Sequence, residues 1–148
     1  MKPMKRVFAD ANGWIALNSK RDRLHDTAVR VNRDLLSKGR GYMTTNFVLD
    51  ESYTGLLTNV GHFAAVDFGE KVRSSKVVQI IHITEEIEEQ AWELFKQYSD
   101  KAFSFTDCTS FIVMRQFGLN EAFTSDHHFE QMGFTVLLKP ATRRGRGS

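Results

Sequence analysis

Cysteine is almost missing from this chain of 148 residues: Cys108 stands alone, so no intrachain disulfide can form and a reducing compartment suits the protein. Only two prolines occur, Pro3 and Pro140, both near the ends, which leaves the interior free for regular structure. Neither charge sign dominates. Lys and Arg total 20 against 18 Asp and Glu, a formal balance of +2 that neither requires nor excludes a polyanionic partner. A long apolar run is missing too: the basic start leads into a stretch of strand length only, too short for a signal-peptide core or a membrane span. A cytoplasmic protein with no membrane partner is expected.

What is present fits one domain over residues 1–140, long enough to bury roughly 70% of the surface its unfolded form exposes. Residues 141–148, with Arg143, Arg144 and Arg146, read as a basic disordered tail or a leftover of cloning and stay outside the fold argument.

Short apolar runs alternate with helical periodicity. Arg6 to Ala9 reads as a buried strand, and Trp14, Ile15 and Leu17 begin a helical turn. Leu24, Ala28, Val31 and Leu35 share a helix face that Gly39 ends. A weak strand follows over Gly41 to Thr44, then helices over Phe47 to Leu57, with Thr45 or Asn46 as N-cap, and over Gly61 to Val72. Val77 to Ile83 is nearly continuously apolar and predicts a strand covered on both faces. Thr84 can cap the next helix, where Ile87, Ala91, Leu94, Phe95 and Tyr98 predict a buried stripe. Thr106 to Phe117 is helical up to Gly118, Glu121 to Ser125 is a strand, Asp126 to Met132 a helical turn, and Phe134 to Leu138 a last strand. This alternation predicts an α/β fold with a mainly parallel sheet in three layers. Most of the twelve phenylalanines sit at strand or helix-face positions and are expected in the core.

Four acids fall where strands give way to helices: Asp10, Glu51, Asp107 and Asp126. In an open α/β sheet such junctions converge on the edge where ligands bind. Acids gathered there repel unless a cation holds them, and oxygen ligands without His or Cys partners suit Mg²⁺ or Mn²⁺ better than zinc. Each acid taken singly is equally well a helix cap or an exposed surface group. His127 and His128 lack the i, i+4 spacing of a helical zinc pair, though either could guide RNA. Cys108 reads as a small apolar filler.

The stretches Phe8-Ala9-Asp10-Ala11-Asn12, Thr45-Asn46-Phe47-Val48-Leu49-Asp50-Glu51, Ser104-Phe105-Thr106-Asp107-Cys108 and Phe123-Thr124-Ser125-Asp126-His127-His128-Phe129 together resemble the PIN-domain family, whose best-populated branch is the VapC-type toxin ribonucleases. The resemblance implies a three-layer α/β/α fold around a five-stranded parallel sheet, a Mg²⁺ or Mn²⁺ site on Asp10, Glu51, Asp107 and Asp126, and hydrolysis of RNA phosphodiesters to 5′-phosphate and 3′-hydroxyl ends. It also implies an antitoxin partner and a homodimer. Between the neighbours Asp50 and Glu51, which point about 100° apart on a helix, the family pattern favours Glu51. Sharing a face with Phe47, its stem is expected to be drawn toward the sheet, with Asp50 solvated.

Asn12, Thr106, Ser110 and Thr124 are candidates to donate hydrogen bonds that fix the carboxylates, though Asn12 and Thr106 also suit helix caps. Lys20, Arg21 and Arg23 are candidates for gripping the RNA backbone, against ordinary solvated charge. Two rivals remain. A haloacid-dehalogenase-like phosphatase also opens with an apolar strand and an Asp, but expects a second Asp where this chain has Asn12. A non-catalytic PIN-like module would bind RNA or protein without cutting.

Overall fold

The computed structural model describes residues 4–139, so the tail expected over 141–148 lies outside the described residues. In chain order, strand β1 (Arg6–Ala9) leads to α1 (Ala11–Asn18) and α2 (His25–Ser37), and β2 (Gly41–Thr45) to α3 (Asn46–Asn59) and α4 (His62–Ser74). Strand β3 (Val78–Ile81) leads to α5 (Glu85–Gln97) and α6 (Phe105–Gln116), β4 (Glu121–Phe123) to α7 (His127–Gln131), and β5 (Thr135–Val136) comes last.

All pairings are parallel, in the order β3-β2-β1-β4-β5. The chain builds outward from β1 through β2 to β3, then returns to place β4 on the other side of β1. Right-handed crossovers put the helices of the first run on one face of the sheet and those of the second on the other. The packing agrees: α1 lies against α2 and α3, and α3 against α4, while α5 pairs with α6.

Strand β1 is central, so Val7, Phe8 and Ala9 are all fully buried. On one face Trp14 of α1 packs on Tyr42 and Phe68, with ring centroids 5.1 and 5.6 Å apart, and its indole N–H donates to Thr44 Oγ1 at 3.2 Å. On the other, Phe111 meets Phe103 at 5.2 Å and Phe129 at 5.1 Å. Gly39 and Gly118 follow α2 and α6 with φ of +73° and +67°, the left-handed conformation that ends a helix.

Two expectations need correction. Val77 to Ile83 does not form a strand covered on both faces: β3 is the sheet's edge, Gln79 is exposed and its neighbours are half-buried. Its β-branched run reflects strand propensity together with one-sided packing. In α5 the buried stripe is Ile87, Ala91 and Leu94, whereas Phe95 is 40% exposed. Among the phenylalanines, Phe63 and Phe117 likewise remain at the surface. Thr45 caps α3 by accepting from the Val48 N–H; Asn46 Oδ1 instead accepts from the Ile83 N–H at 2.7 Å, tying α3 to the end of β3.

Candidate active site

The strand order reverses between β1 and β4, and in parallel sheets the crevice at such a reversal is where ligands bind. Asp10 directly follows β1. Its carbonyl accepts the first α1 bonds, from Gly13 N and Trp14 N, and its side chain turns inward to 5% exposure. Asp126 follows β4 as N-cap of α7, its Oδ1 accepting the His128 N–H at 2.9 Å. Asp107 arrives on α6. There Ser104 and Asp107 form a reciprocal capping box: Asp107 N–H donates to Ser104 Oγ at 2.9 Å, and Ser104 N–H to Asp107 Oδ2 at 3.1 Å. A capping role and a place in the acidic cluster thus coexist in one residue.

Glu51 sits on α3 at the rim. It is exposed, so its stem is not drawn to the sheet as expected, because Val48, Leu49, Ser52 and Leu56 occupy the inward face. Its carboxyl still senses Asp107, and nearby Thr106 favours its charged form.

Electrostatics tie Asp10, Asp107 and Asp126 together and link Glu51 to Asp107 alone among them. Burial first, then Asp107 and Asp126, pushes the Asp10 carboxyl up to about 7, against the opposing pull of the Thr124 hydroxyl and the Ala11 N–H. Burial also raises Asp107, with Asp126 adding to the rise while the Ser104 N–H and His128 oppose it. Glu51, exposed at the rim yet with its carboxyl partly withdrawn from water, is raised chiefly by that desolvation, with Asp107 and Asp50 adding to it. Among the described residues no Lys or Arg forms an ion pair with any of the four acids. Among the described residues His128 is the one potentially cationic side chain inside this negative cluster, within 3.1 Å of Asp107 and 3.3 Å of Asp126, and a hard divalent cation on oxygen donors fits the charge that remains.

The small polar residues divide. Thr124 Oγ1 donates to Asp10 Oδ2 at 3.0 Å. Among the described residues Asn12 bonds no carboxylate; its Oδ1 accepts from Ser125 N at 2.7 Å and from the Ser125 hydroxyl, with the Thr124 hydroxyl, whose one proton serves Asp10, 3.2 Å away, and so braces the loop that carries Asp126. Ser110 is fully buried, and its hydroxyl has no hydrogen-bond partner among the described residues. Lys20, Arg21 and Arg23 lie exposed on the loop between α1 and α2.

Sequence reasoning weighed His128 only as a zinc ligand or a guide for RNA, not as a neighbour of the acids. Its Nδ1 lies 3.1 Å from Asp107 Oδ2 and 3.3 Å from Asp126 Oδ1, and its ring packs edge-on against Phe103. The signal was available: an N-cap Asp that accepts the N–H two residues on brings that residue's side chain beside itself. His127 points away, 71% exposed, with Nδ1 3.8 Å from Asp126 Oδ1. Asp126, His127 and His128 each offer one ligand atom, all within 4.8 Å of one another.

The profile of the PIN domain family matches residues 7–135. This chain belongs to the PIN domain family. It is 41% identical over 134 residues to the 23S rRNA-specific endonuclease VapC20 of Mycobacterium tuberculosis, in both strains CDC 1551 / Oshkosh and ATCC 25618 / H37Rv, covering 90% of this chain and 98% of the relative. The crystal structure of that species' VapC20, described as a sarcin-ricin loop cleaving toxin, superposes with a TM-score of 0.81 at 40% identity, over 87% of this chain and 96% of the other. At 14% identity the VapBC2 structure from Rickettsia felis, bound to a promoter DNA fragment, shares the fold alone, with a TM-score of 0.65 over 88% of this chain and 96% of that one. The PIN domain described here is thus of the VapC type.

Proposed function

We propose that this PIN domain is a Mg²⁺- or Mn²⁺-dependent endoribonuclease, the toxin of a type II toxin–antitoxin pair, acting in the cytoplasm. The observation that carries the reading is the mutual influence of Asp10, Asp107 and Asp126 beside the strand-order reversal, with Glu51 at the rim and, among the described residues, no Lys or Arg paired with them. Asp10, Glu51, Asp107 and Asp126 would hold the ion. When bound, it would orient the scissile phosphate, favour ionisation of the attacking water and offset charge on the leaving oxygen. Thr124 keeps Asp10 turned into the site, the Ser104 N–H keeps Asp107 there, and Asn12 holds the loop of Asp126. Thr106 is assigned to steadying Glu51. Lys20, Arg21 and Arg23 are assigned to the RNA backbone, since metal and peripheral cations together must overcome repulsion between site acids and phosphate.

The relationship to VapC20 along nearly its whole length supports a structured ribosomal target, the sarcin-ricin loop of 23S rRNA. A cognate antitoxin and a second copy of the chain complete the reading. Apolar side chains left at the surface, Leu57, Val60, Phe63 and Val66 on and between α3 and α4 and Trp92 and Phe95 on α5, provide area for such partners. Among the described residues no helix is long and apolar enough to cross a membrane. A phosphatase working through Asp10 as nucleophile is disfavoured, because residue 12 is an asparagine whose side chain is spent on Ser125.

Controlled expression followed by end-mapping of cellular RNA, wild type beside Asp107→Asn, tests the proposal. New 5′-phosphate ends within the large-subunit rRNA, lost in the variant, are the expected result. Identical RNA ends in both strains would overturn it.

A further inference from the structure

The carboxylates of this site share a pattern of engagement. Each of the three inner acids has one oxygen tied to a donor of the protein: Asp10 Oδ2 to the Thr124 hydroxyl, Asp107 Oδ2 to the Ser104 N–H, and Asp126 Oδ1 to the His128 N–H. Among the described residues, the other oxygen of each, Asp10 Oδ1, Asp107 Oδ1 and Asp126 Oδ2, takes part in no side-chain hydrogen bond or ion pair. Two of the tied oxygens, on different elements, meet at a single atom. His128 Nδ1 lies 3.1 Å from Asp107 Oδ2 and 3.3 Å from Asp126 Oδ1. Ionised carboxylates only accept, so a nitrogen facing two of them carries its proton on Nδ1; its hydrogen bond goes to Asp107, and Asp126 stands within ion-pair distance of the same nitrogen.

We propose that His128 is a positioning residue for the divalent-ion site: its Nδ1–H, bonded to Asp107 on α6 and close to Asp126 at the start of α7, holds the two acids side by side and leaves one oxygen of each free for an ion. This rests on the metal-dependent reading of the acidic site. No backbone pairing joins these two acids; Asp107 belongs to a helix that crosses one face of the sheet and Asp126 to the loop after β4. Without a bridge, their repulsion would be relieved by rotating the side chains apart. The ring is itself held: Asp126 fixes the His128 backbone, and Phe103 meets the imidazole edge-on at 5.4 Å and 80°. Only 18% of the side chain is exposed, so the donor is not swapped freely for water. His127, beside it in sequence, has neither the burial nor the distances to share the task.

Two substitutions separate donation from packing. His128→Phe keeps an aromatic ring against Phe103 and removes the donor; His128→Asn keeps an N–H close to the position of Nδ1 and gives up the ring. Both leave the backbone N–H to Asp126 in place. Mn²⁺ affinity is read directly by electron paramagnetic resonance titration without RNA, beside the metal-free melting temperature and the metal dependence of cleavage. Partners that orient metal ligands are typically worth about 10- to 100-fold in affinity. His128→Phe should therefore bind Mn²⁺ about 10-fold or more weaker at a near-native metal-free melting temperature, with cleavage restored by raised Mn²⁺, and His128→Asn should stay within about threefold of wild type. Wild-type affinity in a folded His128→Phe would overturn the proposal, as would loss of affinity in His128→Asn as large as in His128→Phe. A wild type that binds no Mn²⁺ while Asp107→Asn loses cleavage would remove the ion from the site and this role with it.

Discussion

Gly13 lies so close to Phe123 that a Cβ on the glycine would stand 2.0 Å from the Phe123 carbonyl oxygen. The start of α1 can therefore rest directly on the end of β4, and the contact brings Asp10 and Asn12 within reach of Thr124 and Ser125. Gly13→Ala should push α1 away from β4. Overpacking against side chains costs about 1–3 kcal/mol, and backbone yields less readily, so a loss at or above the upper part of that range is expected, with cleavage falling further than stability explains. Chemical denaturation and single-turnover cleavage, run on the same preparations, check this. Wild-type stability in the variant would mean that the close approach does not hold.

Metal-free stability should fall as pH rises. With its folded-state carboxyl near 7 rather than the ordinary 3.8, Asp10 keeps a proton that the unfolded chain has released. The stability tied to that proton is fully present below about pH 4 and is lost as pH climbs through about 7. Asp107 and Glu51 are shifted upward as well and act in the same sense. Asp10→Asn should flatten the dependence and melt higher than wild type at neutral pH in EDTA. Mg²⁺ or Mn²⁺ at a hundredfold excess over its dissociation constant should stabilise the wild type by about 2.7 kcal/mol, and the variant less. Melting curves at several pH values, with EDTA or metal, give the answer; a wild-type melting temperature that rises through this range would contradict the cluster's electrostatics.

Asp107→Asn should retain the fold while cleavage drops by at least ~10²-fold, the low end for removing a preorganised electrostatic group. The amide can still accept from the Ser104 N–H, so the capping box survives while the charge is lost. Single-turnover cutting of an RNA oligonucleotide, with Mg²⁺, Mn²⁺ or EDTA, measures it. Full activity in excess EDTA would exclude the metal mechanism.

The strands were legible because they are local, and so are three of the four acid positions: Asp10 follows a strand and Asp107 and Asp126 open helices, so a parallel sheet puts them on one edge whatever the order of the strands, whereas Glu51 lies in the second turn of α3. Strand order itself is not local. Val77 to Ile83 has the apolar run of a central strand, and only the pairing of β2 between β1 and β3 leaves it at the edge. Periodicity placed Glu51 beside Phe47, but the inward face of α3 belongs to Val48, Leu49, Ser52 and Leu56, a competition that a single heptad cannot decide. His128 was hidden for a related reason: its partner Asp107 lies 21 residues away, on the far side of β4, and no spacing rule links the two. Ser110 shows the converse, since a favourable position on α6 did not give its hydroxyl a partner.

The loop of Lys20, Arg21 and Arg23 is shaped before any RNA arrives. Asp22 Oδ1 accepts the Leu24 N–H at 2.8 Å, Asp22 N–H donates to the Ser19 carbonyl, and His25 N–H donates back to the Asp22 carbonyl. These bonds fold the chain between the three cations and leave their side chains exposed, with no ion pair holding them among the described residues. Replacing all three by Ala should therefore weaken RNA binding across sequences alike, because phosphate contacts carry no base information. Each phosphate contact contributes about 0.7 on a single strand to about 0.9 on a duplex to the slope of log affinity against log salt, so three lost contacts on a structured RNA should flatten it by about 2 to 3. The measurement is a binding titration over several salt concentrations in the Asp107→Asn background, where the RNA stays intact. Asp22 remains in place, so the loop keeps its turn and the loss reports charge alone. A salt slope unchanged by the triple substitution would return these residues to the solvated surface and move the search for the phosphate contacts elsewhere on the carboxyl edge of the sheet.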